Sequence, residues 1–445
     1  MPQAAALVSS QNHVEVPFII VQIGNIKFGH CGKSHNWSEL NTPFTVDYPN
    51  YMDGLNITKI NGAVNTYVIT MTYAITHQDD PNRLEKVFSS ISSSRLVKIS
   101  YGDWNSPAYI YKEEEAIITK LVTKVNMKQS SIQYVINCTS TALSVSSLTK
   151  SFPAKYAKPS DEIKRLLVDA NIGLLNIFKG MKGKDLSVFI DGHDKNVMLE
   201  AKPSIGVLEY ISYLVSCMVW DGDSGSDLKN SCYFWSVYDD ISNQYGGAYF
   251  KVVRVPSNIA SIPSYNTYEV DVGYPTDSNV MDFVINNDDS WSLLYNYSKE
   301  IELPQYSYRI NDEGEIVKDP SALITTSKQT YTTNEETRNW WSKVTQFPIT
   351  ATLTLKGLLR PAMLTSYVKV NTYFYGRKHN SSGLYIITKQ EDSINAQGYR
   401  TTLTLLRIGG GDALIQQAAS GPETTTNRSL GVGGLKHAVT QTALY

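Results

Sequence analysis

The chain has 445 residues, 18% of which are charged, and a formal net charge of −2. This length exceeds the usual size of one domain and favours two to four domains. The balanced charge, without a run of Lys and Arg, argues against specific nucleic-acid binding. The sequence contains no stretch of about 18 apolar residues, so no membrane-spanning helix is predicted.

A loose arm and then a strand-rich block make up the first third of the chain. We expect residues 1–14 to form the arm and residues 15–152 to form a first β-barrel with one short helix. Residues 67–75 alternate between apolar and polar side chains, which is typical of a strand with one buried face. The helix follows with Pro81 at its first position, and residues 108–143 then predict a hairpin with a polar turn.

The character of the sequence changes between residues 153 and 260, where two helices with apolar stripes are predicted. One begins near Ser160 and the other near Ser204, and both serines are expected to act as helix N-caps. Short strand-like segments flank the second helix. We therefore expect residues 153–260 to form a small α/β domain.

Alternating segments return in residues 261–410, which we expect to form a second β-barrel with one short helix. That helix is predicted after Thr333, which forms a capping box with Glu336. The block closes with a hairpin whose arms, residues 383–389 and 399–408, flank a polar turn. We expect this hairpin to be the last edge of the second barrel.

A C-terminal extension, residues 411–445, follows a run of glycines and has little hydrophobic periodicity. It carries too few apolar residues to fold alone. We expect it to leave the second barrel and to contact another protein or a neighbouring subunit. Its interface candidates are Leu414, Ile415, Leu430, Val432 and Leu435.

The motif Ile-Ile-Thr-Lys occurs twice, at residues 117–120 and at residues 386–389. In both places it lies in the first arm of the final hairpin of a strand-rich block, and an alternating strand follows. The match is short, and strands draw on few residue types. The shared context favours a tandem duplication, and two unrelated β domains are the alternative.

Few groups of residues suggest chemistry. His30, Cys31 and His35 lie close in sequence, but no second cluster has the spacing of a structural zinc site. His193 could form a ligand pair with a nearby aspartate, but Asp, Gly and Asn together are more typical of a turn, so we expect no metal. Residues 113–115 are consecutive glutamates that could do acid–base chemistry, although on a strand they alternate faces and favour a solvated edge. No catalytic or cofactor motif is present, so we expect no cofactor and no enzyme activity.

The four cysteines are too sparse for a disulfide framework and predict folding in a reducing compartment. They are Cys31, Cys138, Cys217 and Cys232. The N-terminal residues have neither the basic region nor the long apolar region of a signal peptide. We expect synthesis and assembly in a cytoplasm.

The layout resembles that of the baseplate hub, or tail hub, of tailed bacteriophages, and that of the base of type VI secretion spikes and related contractile devices. The resemblance is greatest in GLYIITKQEDSINAQGYRTTLTLLRIGG, residues 383–410, which is similar to the closing hairpin of the family. LTLKGLLRPAMLTSYVKV, residues 353–370, is similar to the segment before it. PSIGVLEYISYLVSCMVW, residues 203–220, is similar to the helix of the middle domain.

The resemblance implies a mainly β fold with α+β character: two tail-tube-like β-barrels, each with a short helix, a small α/β middle domain and an extended C-terminal tail. It implies a homotrimer that acts as a symmetry adapter between the hexameric tail tube protein and the trimeric central spike protein, in contact with other baseplate proteins. DNA would pass through the lumen without specific binding. The resemblance implies neither catalytic residues nor membrane insertion. The protein would be assembled in the bacterial host cytoplasm and located in the tail baseplate of the virion.

Two other functions stay open at this point. A carbohydrate-binding tail or adhesin protein would also be rich in strands and aromatic residues, and the chain has 29 tyrosines. A cell-wall hydrolase of the tail tip would need an unrecognised site, for which residues 113–115 are the candidates.

Overall fold

A computed structural model describes both strand-rich blocks and the middle region in segments. The described residues are 16–31, 46–49, 51–75, 81–93, 95–103, 111–140, 148–169, 172, 186–221, 233–240, 247–254, 266–272, 280–287, 307–310, 316–319, 349–357, 364–365, 367–374, 377–378 and 382–407. Strands dominate and helices are few, so the predicted mainly β fold is confirmed. The N-terminal arm, the helix predicted after Thr333 and the C-terminal extension lie outside these residues, and the domain boundaries and the closure of each barrel stay predictions.

The first β unit has eight described strands and one helix. Its strands are β1 (Pro17–Ile23), β2 (Ile26–Cys31), β3 (Tyr48–Pro49), β4 (Met52–Ile60), β5 (Thr66–Ala74), β6 (Leu96–Asp103), β7 (Tyr111–Asn126) and β8 (Ser131–Ser140). Its helix, α1 (Pro81–Ser93), begins at the predicted proline and buries Val87 and Ile91. The strand order is β4-β5-β8-β7-β6-β1-β2-β3, in which β7 and β8 form the predicted hairpin.

One face of this sheet forms the core of the first unit. On β5, Tyr67, Ile69 and Met71 are buried and alternate with partly exposed residues. On β8, Cys138 and Ile136 lie opposite Tyr67 and Ile69. Burial raises the pKa of the Cys138 thiol to about 12, so this cysteine behaves as a small apolar side chain. The period of two in the sequence therefore predicts the buried face correctly.

The middle region packs two helices against short strands. The strands are β9 (Thr149–Phe152), β10 (Lys155–Ala157), β11 (Leu186–Ile190), β12 (Val197–Leu199), β13 (Lys202–Gly206), β14 (Tyr233–Asp240) and β15 (Gly247–Arg254). The helices are α2 (Pro159–Val168) and α3 (Val207–Cys217). Strands β11, β15 and β14 form a three-stranded sheet in which β11 and β15 are parallel.

Both predicted serine caps of these helices are wrong. Helix α2 starts after Lys158, and Ser160 lies inside its first turn, where its N–H donates to the buried carboxylate of Asp194 at 2.9 Å. Helix α3 starts after Gly206, and Ser204 belongs to the preceding strand with a φ of 53°. The first N–H groups of α2 are thus capped from a distant loop, which local sequence does not reveal.

The second β unit contains the remaining described strands. They are β16 (Asn266–Val272), β17 (Val280–Asn287), β18 (Ser307–Ile310), β19 (Ile316–Asp319), β20 (Ile349–Lys356), β21 (Tyr367–Phe374), β22 (Arg377–Lys378), β23 (Gly383–Asn395) and β24 (Gly398–Arg407). Strands β18 and β19 pair as a separate hairpin. The other strands join the sheet of the first unit.

The two units share one sheet because β23 pairs with β4, residues 389–395 against residues 54–60. The strand order across the junction is β17-β20-β24-β23-β4-β5-β8-β7. We call β4-β5-β8-β7 the first four-strand repeat and β17-β20-β24-β23 the second. The predicted polar turn is wrong, because residues 390–395 continue β23 and the chain turns just before Gly398, whose φ of +120° suits glycine. The closing hairpin is also not an outer edge, because β4 covers it.

Both copies of the Ile-Ile-Thr-Lys motif form the same β-bulge. The pairing of β7 with β8 skips Thr119, and the pairing of β23 with β24 skips Thr388. Each threonine hydroxyl donates to a carbonyl oxygen of the neighbouring strand, that of Asn137 at 3.0 Å and that of Thr404 at 3.2 Å. The short echo in the sequence therefore marks equivalent positions in the two repeats.

A second bulge also recurs. The pairing of β4 with β5 skips Asp53, and the pairing of β17 with β20 skips Met281. With both bulges aligned, the four strands of one repeat correspond residue by residue to those of the other. The units differ outside the repeats, since β1 is antiparallel to β6 whereas β16 is parallel to β21.

Gly357 lies where a side chain would meet the ring of Tyr399. A Cβ on Gly357 would lie 2.1 Å from Tyr399 Cγ, and the Gly357 N–H donates to the Tyr399 carbonyl at 2.8 Å, which holds the two backbones together. We expect Gly357→Ala to lower the free energy of unfolding by roughly 1–3 kcal/mol because of overpacking, measured by urea denaturation. Gly192→Ala is the control, since its Cβ would meet only Lys164 Nζ, at 3.4 Å. Equal stability of the two variants would contradict the packing described here.

Candidate functional site

The seam between the two four-strand repeats brings together several buried polar groups. The seam is formed by β4 and the second half of β23, residues 389–395, which are paired antiparallel. At its end the Asn61 N–H donates to the carbonyl oxygen of the bulge residue Thr388 at 3.0 Å. Because a bulge bends its strand, β23 pairs with β21 before Thr388 and with β4 after it.

Two side chains of the second repeat complete the core of the first unit. Ile394 is only 1% exposed and lies opposite Leu55 of β4. Tyr399 packs edge-on against Tyr101, with 6.2 Å between the ring centroids. Both Ile394 and Tyr399 belong to the hydrophobic cluster of the first unit. Burial of apolar surface therefore adds to the main-chain hydrogen bonds that hold the seam.

A buried ion pair lies on the first-unit side of the seam. Lys59 Nζ donates to Glu114 Oε1 at 2.7 Å, and the two side chains are 2% and 4% exposed. The Tyr101 hydroxyl donates to the same oxygen at 2.7 Å, and the Tyr67 hydroxyl donates to Oε2. Three donors thus surround the carboxylate, which offsets the cost of removing two charges from water.

A second buried carboxylate, that of Asp392, lies on the other side of the seam. Gln390 Nε2 donates to Asp392 Oδ2 at 2.9 Å, and the Thr401 hydroxyl donates to Oδ1 at 2.7 Å. Tyr399 also hydrogen-bonds to this carboxylate. Two of the polar residues that the sequence assigned to a turn, Gln390 and Asp392, are therefore internal and hydrogen-bonded.

Tyr101 and Tyr399 connect the two carboxylates. Burial raises the pKa of both hydroxyls well above the usual value for tyrosine, and the charges of Glu114 and Asp392 raise both further. Both tyrosines therefore stay protonated at neutral pH and act as donors. The two carboxylates, 4% and 1% exposed, thus form a buried polar network on the two sides of the seam, joined by the ring contact of Tyr101 with Tyr399.

The prediction of a solvated edge at residues 113–115 is wrong for Glu114. Side chains alternate along β7, so Glu114 points to the core while Glu115 is half-buried. The sequence does carry a signal, because Lys59 stands on the apolar face of its strand, two residues after Ile57. A lone lysine on a buried face predicts a buried acidic partner, but only the folded core, in which β7 meets β4, identifies that partner. Glu114 is thus a residue that holds the seam and not an acid–base group at the surface.

The other sequence candidates are not brought together. His193 is 80% exposed, and its Nδ1 lies 2.9 Å from Asp191 Oδ1. His30 and Cys31 lie on strand β2, and His35 is outside the described residues. In the described part of the chain no group of three His, Cys, Asp or Glu side chains is placed to hold a metal ion.

The interface candidates from the C-terminal extension also lie outside the described residues. They are Leu414, Ile415, Leu430, Val432 and Leu435. Their role in contacting a partner stays a prediction. Among the helices that the structure describes, none has the length and apolar character needed to cross a membrane.

No protein-family model and no curated protein matches the sequence. Solved structures with a similar chain trace include a tail protein from Neisseria meningitidis MC58, at 10% identity and a TM-score of 0.49, covering 89% of this chain and 99% of that one. Another is the 43 kDa tail protein of prophage MuSo2 from Shewanella oneidensis, at 10% identity and a TM-score of 0.46, with coverages of 88% and 98%.

A third is the E. coli c3393 protein, described as a component of the type VI secretion system with structural similarity to T4 bacteriophage tail proteins gp27 and gp5. It is 9% identical with a TM-score of 0.42, covering 81% of this chain and 74% of that one. These are the kinds of protein that the sequence resembles, so the predicted resemblance is confirmed. Because identities are about 10% and TM-scores lie below 0.5, nothing about residues, partners or function follows from them.

Removing only the lysine of the ion pair leaves a buried charge without its partner. We expect Lys59→Met to lower the free energy of unfolding by about 3–5 kcal/mol, measured by urea denaturation. The double variant Lys59→Met/Glu114→Gln should recover most of this loss, because no charge remains and the tyrosine hydroxyls keep an acceptor. The control is Lys389→Met, which breaks the partly exposed pair with Glu391 and should cost at most about 1 kcal/mol. A Lys59→Met variant as stable as this control would show that the ion pair is not buried.

The stability of the seam should decrease in alkaline solution. Tyrosine in the unfolded chain has a pKa of about 10, and the pKa of Tyr101 and Tyr399 is raised in the folded chain. Their contribution is therefore complete below pH 10 and is lost as the pH rises through the folded-state pKa. Between pH 10 and its folded-state pKa, each of the two tyrosines should lower the free energy of unfolding by about 1.4 kcal/mol per pH unit.

Urea denaturation between about pH 9 and pH 11 measures this slope. Tyr399→Phe cannot ionise and should show a smaller slope than the unsubstituted chain. The control is Tyr156→Phe, which removes an exposed tyrosine and should keep the slope. Identical slopes for all three proteins would contradict the burial of the Tyr399 hydroxyl.

Proposed function

We propose that this chain is a structural hub of a bacteriophage tail baseplate. In this role three copies form a ring, a symmetry adapter that joins the hexameric tail tube to the trimeric central spike. The hub contacts the tail tube protein, the central spike protein and other baseplate proteins. It works without catalysis and is located in the virion after assembly in the host cytoplasm.

The observation that carries the proposal is the head-to-tail joining of two similar four-strand repeats. The last strand of the second repeat, β23, pairs with the first strand of the first repeat, β4, which leaves β17 and β7 as the outer strands. Units joined head to tail close into a ring when the rotation between them permits it. Three chains then supply six repeats, which suits a hexameric tube, while the ring as a whole keeps threefold symmetry.

The polar face of the sheet supports a lumen through which DNA passes. Thr352 and Thr354 on β20 lie opposite Thr404 and Thr402 on β24, and all four are partly exposed. The four threonines are uncharged and do not attract the phosphate backbone, although the exposed Lys356 and Arg400 pair farther along the same face. We infer that this threonine face lines the tube, where DNA must move without binding.

The C-terminal extension completes the proposal as the segment that contacts the spike or a neighbouring subunit, through the five apolar residues named above. Carbohydrate binding and cell-wall hydrolysis gain no supporting observation from the described residues. Glu114, a candidate for hydrolysis, accepts three hydrogen bonds inside the core.

The mass and shape of the purified full-length chain test the proposed function. Light scattering should give the mass of a trimer, alone or after addition of the tail tube protein of the same phage, and negative-stain images should show a ring of six lobes. A chain that stays monomeric in both conditions, up to the highest concentration reached, would contradict the proposal. A ring with a different number of lobes would also contradict it.

A further inference from the structure

The two outer strands of the eight-strand order each have an edge without a strand partner in the described part of the chain. Residues 121–126 of β7 pair with β8 on one side, and on the other side β6 pairs only with residues 111–117. Strand β17 pairs with β20 alone. Unpaired strand edges are templates for pairing with another chain.

The seam within the chain shows what fits each edge. Alignment of the bulges at Thr119 and Thr388 makes β7 the equivalent of β23, and alignment of the bulges at Asp53 and Met281 makes β17 the equivalent of β4. Strands β23 and β4 pair with each other. Their equivalents β7 and β17 therefore have matching edges, but they lie at opposite ends of the strand order.

One side chain marks the difference between the paired and the unpaired edge. Val125 on β7 is the equivalent of Ile394 on β23, six residues after the threonine of each bulge. Ile394 is 1% exposed because it enters the core of the neighbouring repeat, whereas Val125 is 66% exposed. Within the described part of its own chain, the apolar residue at this position of the first repeat has no core to enter.

We propose that residues 121–126 of β7 pair antiparallel with residues 282–287 of β17 in a second copy of this chain. The register follows from the seam: Val125 lies opposite Phe283, as Ile394 lies opposite Leu55. The inference deepens the proposed function and rests on it for the identity of the partner, a second copy. Repetition of this contact closes the ring, so every repeat meets its neighbour through the same kind of strand pair.

The side chains along the two edges complement each other. Val125 meets Phe283, which packs edge-on against the buried Tyr385 and so extends the apolar core of the second unit. Lys124 lies opposite Val284, whose side chain is 53% exposed, and diagonal to Asp282. Apolar pairs and opposite charges at opposed and diagonal positions both stabilise antiparallel strands.

Disulfide crosslinking of the full chain tests the register directly. Opposed residues on antiparallel strands have Cα atoms about 4.5–5.5 Å apart, within the range that a disulfide spans. We expect two double variants, Val125→Cys/Phe283→Cys and Lys124→Cys/Val284→Cys, to form linked chains under mild oxidation. Strands β7 and β17 of one chain lie roughly 34 Å apart along the sheet, so a bond between them joins two chains.

The control for register is Thr123→Cys/Met281→Cys. Met281 is half exposed and lies four residues from the position opposite Thr123, so their Cα atoms are about 13 Å apart in the proposed register and should not crosslink. Single-cysteine variants give the background from the native cysteines, of which Cys138 and Cys217 are buried.

A pair of matched substitutions tests whether the edge holds the assembly. Val125 and Val168 are exposed to a similar extent, 66% and 69%, and Val168 lies on α2 of the middle region. We expect Val125→Asp to shift the chain from trimer to monomer at a concentration where Val168→Asp stays trimeric. The melting temperature of the Val125→Asp monomer should match that of unassembled wild-type chain, which separates loss of assembly from loss of folding.

The outcomes separate this inference from the proposed function. Crosslinking in register, together with loss of the trimer in Val125→Asp alone, supports the strand pair. If the chain forms a six-lobed trimer but neither double-cysteine variant crosslinks, or if Val125→Asp still forms the trimer, the strand pair is wrong and the hub function stands. Crosslinking in register that extends into open chains without a six-lobed ring overturns the hub function and leaves the strand pair standing. A chain that neither associates nor crosslinks overturns both.

Discussion

The main-chain pairing of β4 with β23 is the interaction on which the rest of the structure depends. It turns two separate sheets into one and covers the strand edge that would otherwise end each repeat. It also brings Ile394 and Tyr399 into the core of the first unit and encloses the network around Glu114 and Asp392. Each of these buried groups needs the others to be in place, because a carboxylate in a dry core is tolerated only when all its donors are present.

The charged network is a property of one seam and not of both repeats. The positions equivalent to Lys59 and Glu114 are Asn287 and Gly383 in the second repeat, where the Arg407 guanidinium lies beside Gly383 instead. A seam between copies of the chain would therefore lack a buried ion pair and would consist of main-chain hydrogen bonds, apolar contacts and the exposed diagonal pair of Lys124 with Asp282. Such a seam can form and separate without leaving a buried charge unpaired, which suits a surface that meets its partner after folding. The seam within the chain is never required to open.

The sequence predicts local structure well here because strands with one buried face alternate in polarity. The faces of β5 and β8, the hairpins and the start of α1 follow from this pattern and from Pro81. The threonine of the repeated motif even marks equivalent bulges. The failures concern contacts between distant segments. Residues 390–395 are polar and suggest a turn, but they are strand residues because β4 pairs with them and satisfies their backbone.

The candidate site was missed for the same reason. Lys59 and Glu114 are 55 residues apart, and a charged residue in an alternating strand usually belongs to the solvent face. In the strand order β4 and β7 are separated by β5 and β8, so Lys59 and Glu114 meet across the core and not as neighbours in the sheet. The caps of α2 and α3 failed likewise, because Asp194 reaches the first turn of α2 from a loop 34 residues away. Strand pairing and helix capping between distant segments depend on the whole fold. The residue pattern within a single segment does not reveal them.

Amide hydrogen exchange on the unassembled chain reports on the pairing of β4 with β23. The measurement compares residues 389–395 of β23, which are paired on both sides, with the equivalent residues 120–126 of β7, which are paired on one side. We expect residues 389–395 to exchange as slowly as the central strand β8, and alternate amides in residues 120–126 to exchange quickly. Equal, fast exchange of the two stretches would contradict the seam and with it the joining of the two repeats.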